Sequence, residues 1–540
     1  MEPKKDRKLT TFILPLFLAA GHIGLVAKRD LVTFHWDQQS YFFIGVIVAL
    51  AILFTYGFYL LLCRAVTRWL AGEEKFRKRA PFFLGYFLFM CIFWLLTWPG
   101  IFKGDEFYVL KAALSFQFSG MQGGLTSLFY ILTLLFFPSM ASITFFQLLL
   151  VCSIFAVVMC DLFEKNRGWV RFLYLIPFVL PPVIDANLFT LRATPAGWLF
   201  LLLLDRIGFA PFPKEGKKRS LYIGQIALLC GLVTALRSEY FYLLVLVPLG
   251  LLLFRSLGKK ETAILFAVAI VFWQALCVPN RIAQNGQNKY PISLVLNPLA
   301  NLFTEAESLK GPQVYDDIMT INELVDVQLL RQNASVRNIS QYWNIPDVLP
   351  KEQLSAFMKA SLRLIAYNPG KFLKYRWQTF AYTNGFYPGY INHPGGEDVD
   401  AINLLNYYGT DYGAYFAFSR PLLGFSLRQR VISLLACRSY QKGNIRTNAL
   451  LPVFYNVLPV CITLLAAFFI SLFAIKRKGP DGRKKCLLQV LTILQFFLIF
   501  LTAPAMFFMY YFCLYLCGWV LCLDTLVFVT NKADSANGVD

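Results

Sequence analysis

Two acids, Asp105 and Glu106, stand side by side in WPGIFKGDEFYVL, residues 98 to 110, where a long apolar run stops. A carboxylate held beside a reacting hydroxyl can take its proton, and a second one can steady developing positive charge or orient the acceptor. The same pair could simply mark a helix end at a membrane surface, where a charge is easily solvated. Cations suited to an anionic substrate stand at three places: Lys103 in the same stretch, Arg192 in PPVIDANLFTLRATP and Arg237 in TALRSEYF. Arginine meets a phosphate through two parallel hydrogen bonds, which favours Arg237 and Arg192 for that role. Each cation also has an ordinary explanation, since a basic side chain near a helix end reaches for lipid headgroups and Arg237 has Glu239 two residues on. His393, Glu397 and Asp398 lie close together in INHPGGEDVD, but no second half of a metal-ligand set accompanies them. A polar turn about Pro394-Gly395-Gly396 explains that cluster, and His393 would touch an acceptor only if the loop folds back over the membrane.

The elements that must position these residues are membrane helices. Of the 540 residues, 57% are hydrophobic and only 15% charged, against about a quarter charged in a soluble protein. Apolar runs of about 17 to 25 residues recur, the cleanest being YFFIGVIVALAILFTYGFYLLLC at 41 to 63. The net charge of +20 gathers in short clusters between these runs, the pattern of cytoplasmic loops and not of a nucleic-acid partner. Most of the 12 cysteines lie inside apolar segments with no CxxC spacing and read as small core residues. LTTFILPLFLAAGHIGLVA, after its basic leader, reads as an uncleaved first helix and not as a signal peptide.

Basic clusters at 64 to 80, 205 to 220, 255 to 260 and 476 to 485 are expected inside, which sends the helix from Pro81 outward and puts Asp105 and Glu106 outside. Segments 124 to 137, 139 to 160, 172 to 186 and 193 to 205 then cannot all cross. GGLTSLFYILTLLFF, short and ended by Pro138, is expected to lie along the outer surface as an interfacial helix. The layout is thus an N-terminal hairpin over 1–80, a membrane module over 81–278, a mainly helical extracytoplasmic domain over 279–420, and C-terminal membrane helices with a cytoplasmic tail over 421–540. The first outer loop falls at about 103–123. Residues 421 to 440 read as interfacial, and the expected total is about eleven to thirteen spans with no internal repeat. The expected fold class is an all-α polytopic membrane protein.

An acidic pair after an outward-running helix, the outer turns PPVIDANLFTLRATP and LRSEYFYLL, a large outer domain and the C-terminal APAMFFMYYFCLYL follow one another in an order that resembles the GT-C superfamily of membrane glycosyltransferases. That family would imply a GT-C-like bundle, a polyprenyl-phosphate-linked sugar as donor, and a glycan, lipid or protein as acceptor at the outer face of a bacterial plasma membrane. The resemblance departs at SGMQGGLTSLFY, where many relatives carry His-Pro or Pro-Pro, and at Thr190-Leu191-Arg192, where many carry an Asp. It implies Asp105 as general base, with Glu106 assisting, positioning the acceptor or sharing a divalent cation (Mg or Mn) with it. Arg237, Arg192 and Lys103 would hold the departing phosphate, with Glu239 and His393 as contacts to donor or acceptor. A polysaccharide polymerase or ligase would lean on loop arginines more than on Asp105, and a transporter or flippase would carry ionisable residues in mid-membrane and broken helices in matching halves.

Overall fold

The computed structural model describes residues 12–102, 104–120, 122–166, 168–284, 287–335, 340–384, 386, 421–441, 444–447, 450–478 and 480–536. Lys103 and His393 lie outside them. The N-terminal hairpin is α1 (Leu14–Thr33) and α2 (Tyr41–Leu70), the latter started by Ser40, whose hydroxyl accepts from the Phe43 amide at 3.3 Å. After the turn at Gly72 come α3 (Glu74–Leu96), the short α4 (Gly104–Leu114) and α5 (Gly124–Phe136), and the long α6 (Met140–Lys165). A 3₁₀ segment at Trp169–Val179 bends into α7 (Pro181–Leu188), followed by α8 (Ala193–Leu204), α9 (Gly216–Leu236), α10 (Tyr242–Leu253) and α11 (Lys259–Leu276).

By length and composition, seven helices can cross a membrane, or eight if the segment bent by 53° between Val179 and Pro181 counts as one span. That is fewer than the eleven to thirteen expected. Apolar segments at Gly124–Phe136, Ser238–Leu253 and Phe512–Val527 are too short, and α1 carries Lys28, Arg29 and Asp30 in its last turns. Hydropathy cannot separate a stretch buried in protein from one bathed in lipid, and several of these short stretches are of the first kind. The helix expected along the outer surface, α5, is such a case. Tyr130, Ile131 and Leu134 are fully buried, and α5 packs on α2, α4 and α6.

Two apolar cores follow from this packing. The larger joins α3, α6, α8, α9 and the C-terminal helices α21 (Pro480–Thr502) and α22 (Phe512–Ala536). The smaller sits where α2, α4 and α5 meet. A third cluster belongs to the expected helical domain, which begins beyond α12 (Val278–Gln284). It is built from α13 (Tyr290–Phe303), α14 (Val314–Asn322), α15 (Val327–Gln332), α16 (Lys351–Tyr367) and α17 (Pro369–Thr383). The apolar helix before it runs on to Ala283, five residues past the expected boundary at 278. Asn333, in the Asn-X-Ser triplet Asn333-Ala334-Ser335, is exposed, while Asn338 of a second such triplet lies outside the described residues. The stretch read as interfacial contains α18 (Phe425–Leu435) and departs from an all-α fold through one hairpin, Arg438–Gln441 against Asn444–Thr447. After α19 (Leu451–Phe454), α20 (Leu458–Lys478) leads into the last two helices.

The approach of α5 to α12 depends on a residue without a side chain. A β-carbon at Gly124 would sit 1.9 Å from the carbonyl oxygen of Pro279, a backbone atom that cannot rotate away. Gly124→Ala must therefore push the two helices apart, at about 1–3 kcal/mol or more for such overpacking. The purified variant is expected to show a lower thermal midpoint than wild type, and an unchanged midpoint would show that this contact is not tight.

Candidate functional site

The stretches that carry Asp105 and Arg192 meet at one backbone contact. Beyond α3 the chain runs extended, and Ile101 pairs with Phe189 in an isolated parallel β-bridge, its amide donating to the Leu188 carbonyl at 3.0 Å. Four residues after Ile101 comes Asp105, and three after Phe189 comes Arg192. Both partners are braced: the Gln147 side-chain amide donates to the carbonyls of Asn187 and Phe189, each at 2.8 Å. On the other side Arg428 of α18, 6% exposed, donates to the carbonyls of Thr97 at 3.3 Å and Gly100 at 2.9 Å. The fully buried Tyr130 hydroxyl meets Thr190 Oγ1 at 2.6 Å, which ties α5 to the same turn.

Asp105 and Glu106 open α4, where the helix dipole favours negative charge. Adjacent positions on a helix point about 100° apart, and the two acids separate accordingly. Asp105 is half-buried and lines a cavity of about 370 Å³. Glu106 is fully buried and is not among the residues that line it. The Gln122 side-chain amide donates to Asp105 Oδ2 at 2.9 Å. Burial raises the Asp105 pKa above its ordinary value of 3.8, against the opposing pull of the Arg192 charge and the Gln122 hydrogen bond. Arg192 acts at a distance, with no ion pair to Asp105 within 4 Å, and its Nη1 lies beside the loop at Gly123.

Arg237 ends α9 and makes an ion pair with Glu239 at 2.5 Å, the ordinary pairing available from the sequence. Its guanidinium also stands 5.7 Å from the Tyr510 ring centre. Tyr510, in the 3₁₀ turn Phe508–Tyr510 before α22, connects the cluster: the charges of Arg237, Asp105 and Arg192 all act on its phenol, as does Tyr290. The structure therefore brings Asp105, Arg192 and Arg237 into one neighbourhood, although neither arginine is among the residues lining the cavity.

The far wall of the cavity comes from the helical domain, and sequence reasoning missed it. Lys289, 9% exposed, donates to the Ile345 carbonyl at 2.8 Å, pairs with Asp347 at 2.7 Å and stands 4.9 Å from the Tyr342 ring centre. Asn288 and Leu349 exchange two hydrogen bonds, so 287–289 and 345–349 are locked side by side. Tyr290, Tyr342 and Tyr108 add aromatic faces to the same space. The available signal was a lone lysine placed between two apolar helical runs, without a charge cluster to explain it. Asn280 of α12 ties this wall down by donating to the Ala235 carbonyl at 2.8 Å while accepting from the Leu125 amide at 3.1 Å.

Among the described residues no three His, Cys, Asp or Glu side chains converge as metal ligands would. Asp105 and Glu106, expected to share a divalent cation, have no third such ligand among the described residues, and no step is routed through a metal. A half-buried acid whose pKa burial raises is suited to proton transfer, and the arginine charges of the same neighbourhood suit an anionic ligand.

Because the Gln122 hydrogen bond lowers the Asp105 pKa, Gln122→Leu should raise it further. Carbodiimide, which reacts with protonated carboxyls, should then label Asp105 up to a higher pH in the variant than in wild type, as read by peptide mass spectrometry. Coincident labelling curves would remove Gln122 from the control of this acid. No family model matches the chain, and searches of curated proteins and of solved structures return no match either.

Proposed function

We propose that this multi-pass membrane protein is a glycosyltransferase that moves a sugar from a polyprenyl-phosphate carrier to a hydroxyl acceptor, with Asp105 as the general base. The observation that carries the reading is the setting of Asp105: a carboxylate with a raised pKa, at the wall of a cavity with tyrosine faces, under the field of Arg192. In this reading Asp105 takes the acceptor hydroxyl's proton as the oxygen bonds to the anomeric carbon. The bond from that carbon to the carrier phosphate breaks, and its electron pair leaves with the lipid phosphate. Arg192 and Arg237 stabilise the charge that gathers on the leaving group, because fixed positive groups need no reorganisation as the bond loosens. Tyrosine faces suit the apolar side of a sugar ring.

Glu106 is assigned a supporting part only, since its full burial fits a helix-opening charge better than a group that meets substrate. Glu239 serves through Arg237, whose guanidinium it orients. Lys103 and His393 stay as proposed contacts to phosphate and acceptor. An outer-face site in a bacterial plasma membrane belongs to the same proposal and rests on the positions of the basic loops.

Asp105→Asn keeps the shape and removes the base. In membranes supplied with the lipid-linked donor, transfer should fall by about a hundred- to ten-thousand-fold at normal protein level. Undiminished transfer would dismiss Asp105 as the catalyst. The wild-type rate should fall as pH drops through a midpoint above 3.8, because only the ionised carboxylate accepts a proton. Since the Arg192 charge lowers this pKa, Arg192→Gln should move the midpoint upward as well as slow the reaction. A midpoint that stays put in that variant would mean Arg192 does not act on Asp105.

A further inference from the structure

A second cavity, of about 620 Å³, opens at the other end of the bundle. It lies between the start of α3, the end of α6, the turn after α8 and the start of α9. Helix α9 carries Lys218 near its first turn and leads to Arg237 at its far end, a rise of about 30 Å. This cavity is therefore remote from Asp105.

Four cations line it: Lys75, Arg79, Arg206 and Lys218. The carboxylates facing them are already shared. Asp161 binds Arg206 at 2.7 Å and Arg79 at 3.4 Å, and Asp205 binds Arg206 at 2.6 Å. Four cations against those two acids leave two positive charges over. Lys75 and Lys218 are exposed and make no ion pair among the described residues, and the buried Nε atoms of Arg79 and Arg206 have no hydrogen-bond acceptor there. Glu74 and Glu164 are occupied by Lys78, and Glu215, outside the lining, acts on Arg219. Apart from Tyr222 and Gln225, the rest of the lining is apolar. Leu221 and Leu228 follow Lys218 along the same side of α9, and they are 59% and 40% exposed.

We infer that this cavity binds the phosphate headgroup of an anionic membrane lipid, with the headgroup between Lys75 and Lys218 and the acyl chains along the Leu221–Leu228 face of α9. Arg79 and Arg206, fixed by Asp161, form the floor. Excess positive charge selects the phosphate, and the exposed leucines select an amphiphile over a free ion, since each buried methylene adds about 0.8 kcal/mol. The inference is independent of the sugar-transfer reading.

The test uses the full-length protein in neutral detergent, titrated with dihexanoyl phosphatidic acid, dihexanoyl phosphatidylcholine or inorganic phosphate while the thermal midpoint is followed. The phosphatidic acid should raise the midpoint at a concentration about tenfold or more below any effect of inorganic phosphate, and phosphatidylcholine should have no effect. The double variant Lys75→Gln/Lys218→Gln, altering two exposed and unpaired side chains, should keep the basal midpoint and need about tenfold or more of the lipid. Lys217→Gln, an exposed neighbour outside the lining, should respond as wild type. The inference is overturned if inorganic phosphate matches the lipid, if the double variant responds as wild type, or if Lys217→Gln weakens binding equally.

Discussion

The short parallel bridge between Ile101 and Phe189 is the contact on which the site depends. It joins a segment that has just left one helix to a segment about to begin another, and each carries its charged residue a few positions further on. Isolated bridges have little stability of their own, so this one survives through its braces. Gln147 holds the carbonyls on one side and Arg428 holds those on the other, each from within the packed interior. A buried carbonyl left without a partner costs about 1–3 kcal/mol, which gives both side chains a structural reason to be where they are. With that geometry set, Asp105 and Arg192 come into one neighbourhood without forming an ion pair. The separation suits a base, since a direct bridge to arginine would hold the carboxylate ionised and weaken it as a proton acceptor.

Legibility in the sequence followed locality. Asp105, Arg192 and Arg237 could be picked out because each is a charge at the end of an apolar run, and the run itself declares the helix. The mainly helical character expected of 279–420 appears in α13 to α17. Lys289, Tyr342 and Asp347 were not readable, because their meeting depends on hydrogen bonds between 287–289 and 345–349, and no local pattern encodes that pairing. Gln122 escaped for a related reason: an amide gains meaning only from the acid it faces. The surplus of expected spans has a different cause. Apolar runs such as Phe512–Val527, within the expected C-terminal membrane helices, satisfy a hydropathy window but are short and largely buried by neighbouring helices.

The charges of the bundle are divided between two ends with different logic. Near Asp105 they are few, held apart and set among tyrosines. At the start of α9 they are crowded, with Asp161 shared by two arginines and lysines left over. A shared carboxylate of this kind contributes little net stability, since desolvation offsets much of the attraction, but it fixes the two guanidinium groups in place.

The brace from Arg428 to the Gly100 carbonyl joins residues 328 positions apart. A ribosome makes that span in roughly 15–65 s at ordinary rates of synthesis. Throughout that interval the acid pair has already been synthesised, without the clamp that holds the preceding turn. The nascent chain is thus chemically equipped long before it is geometrically competent. The brace is a late addition that must await the last third of the polypeptide, and any product terminated before Arg428 carries the acids without it.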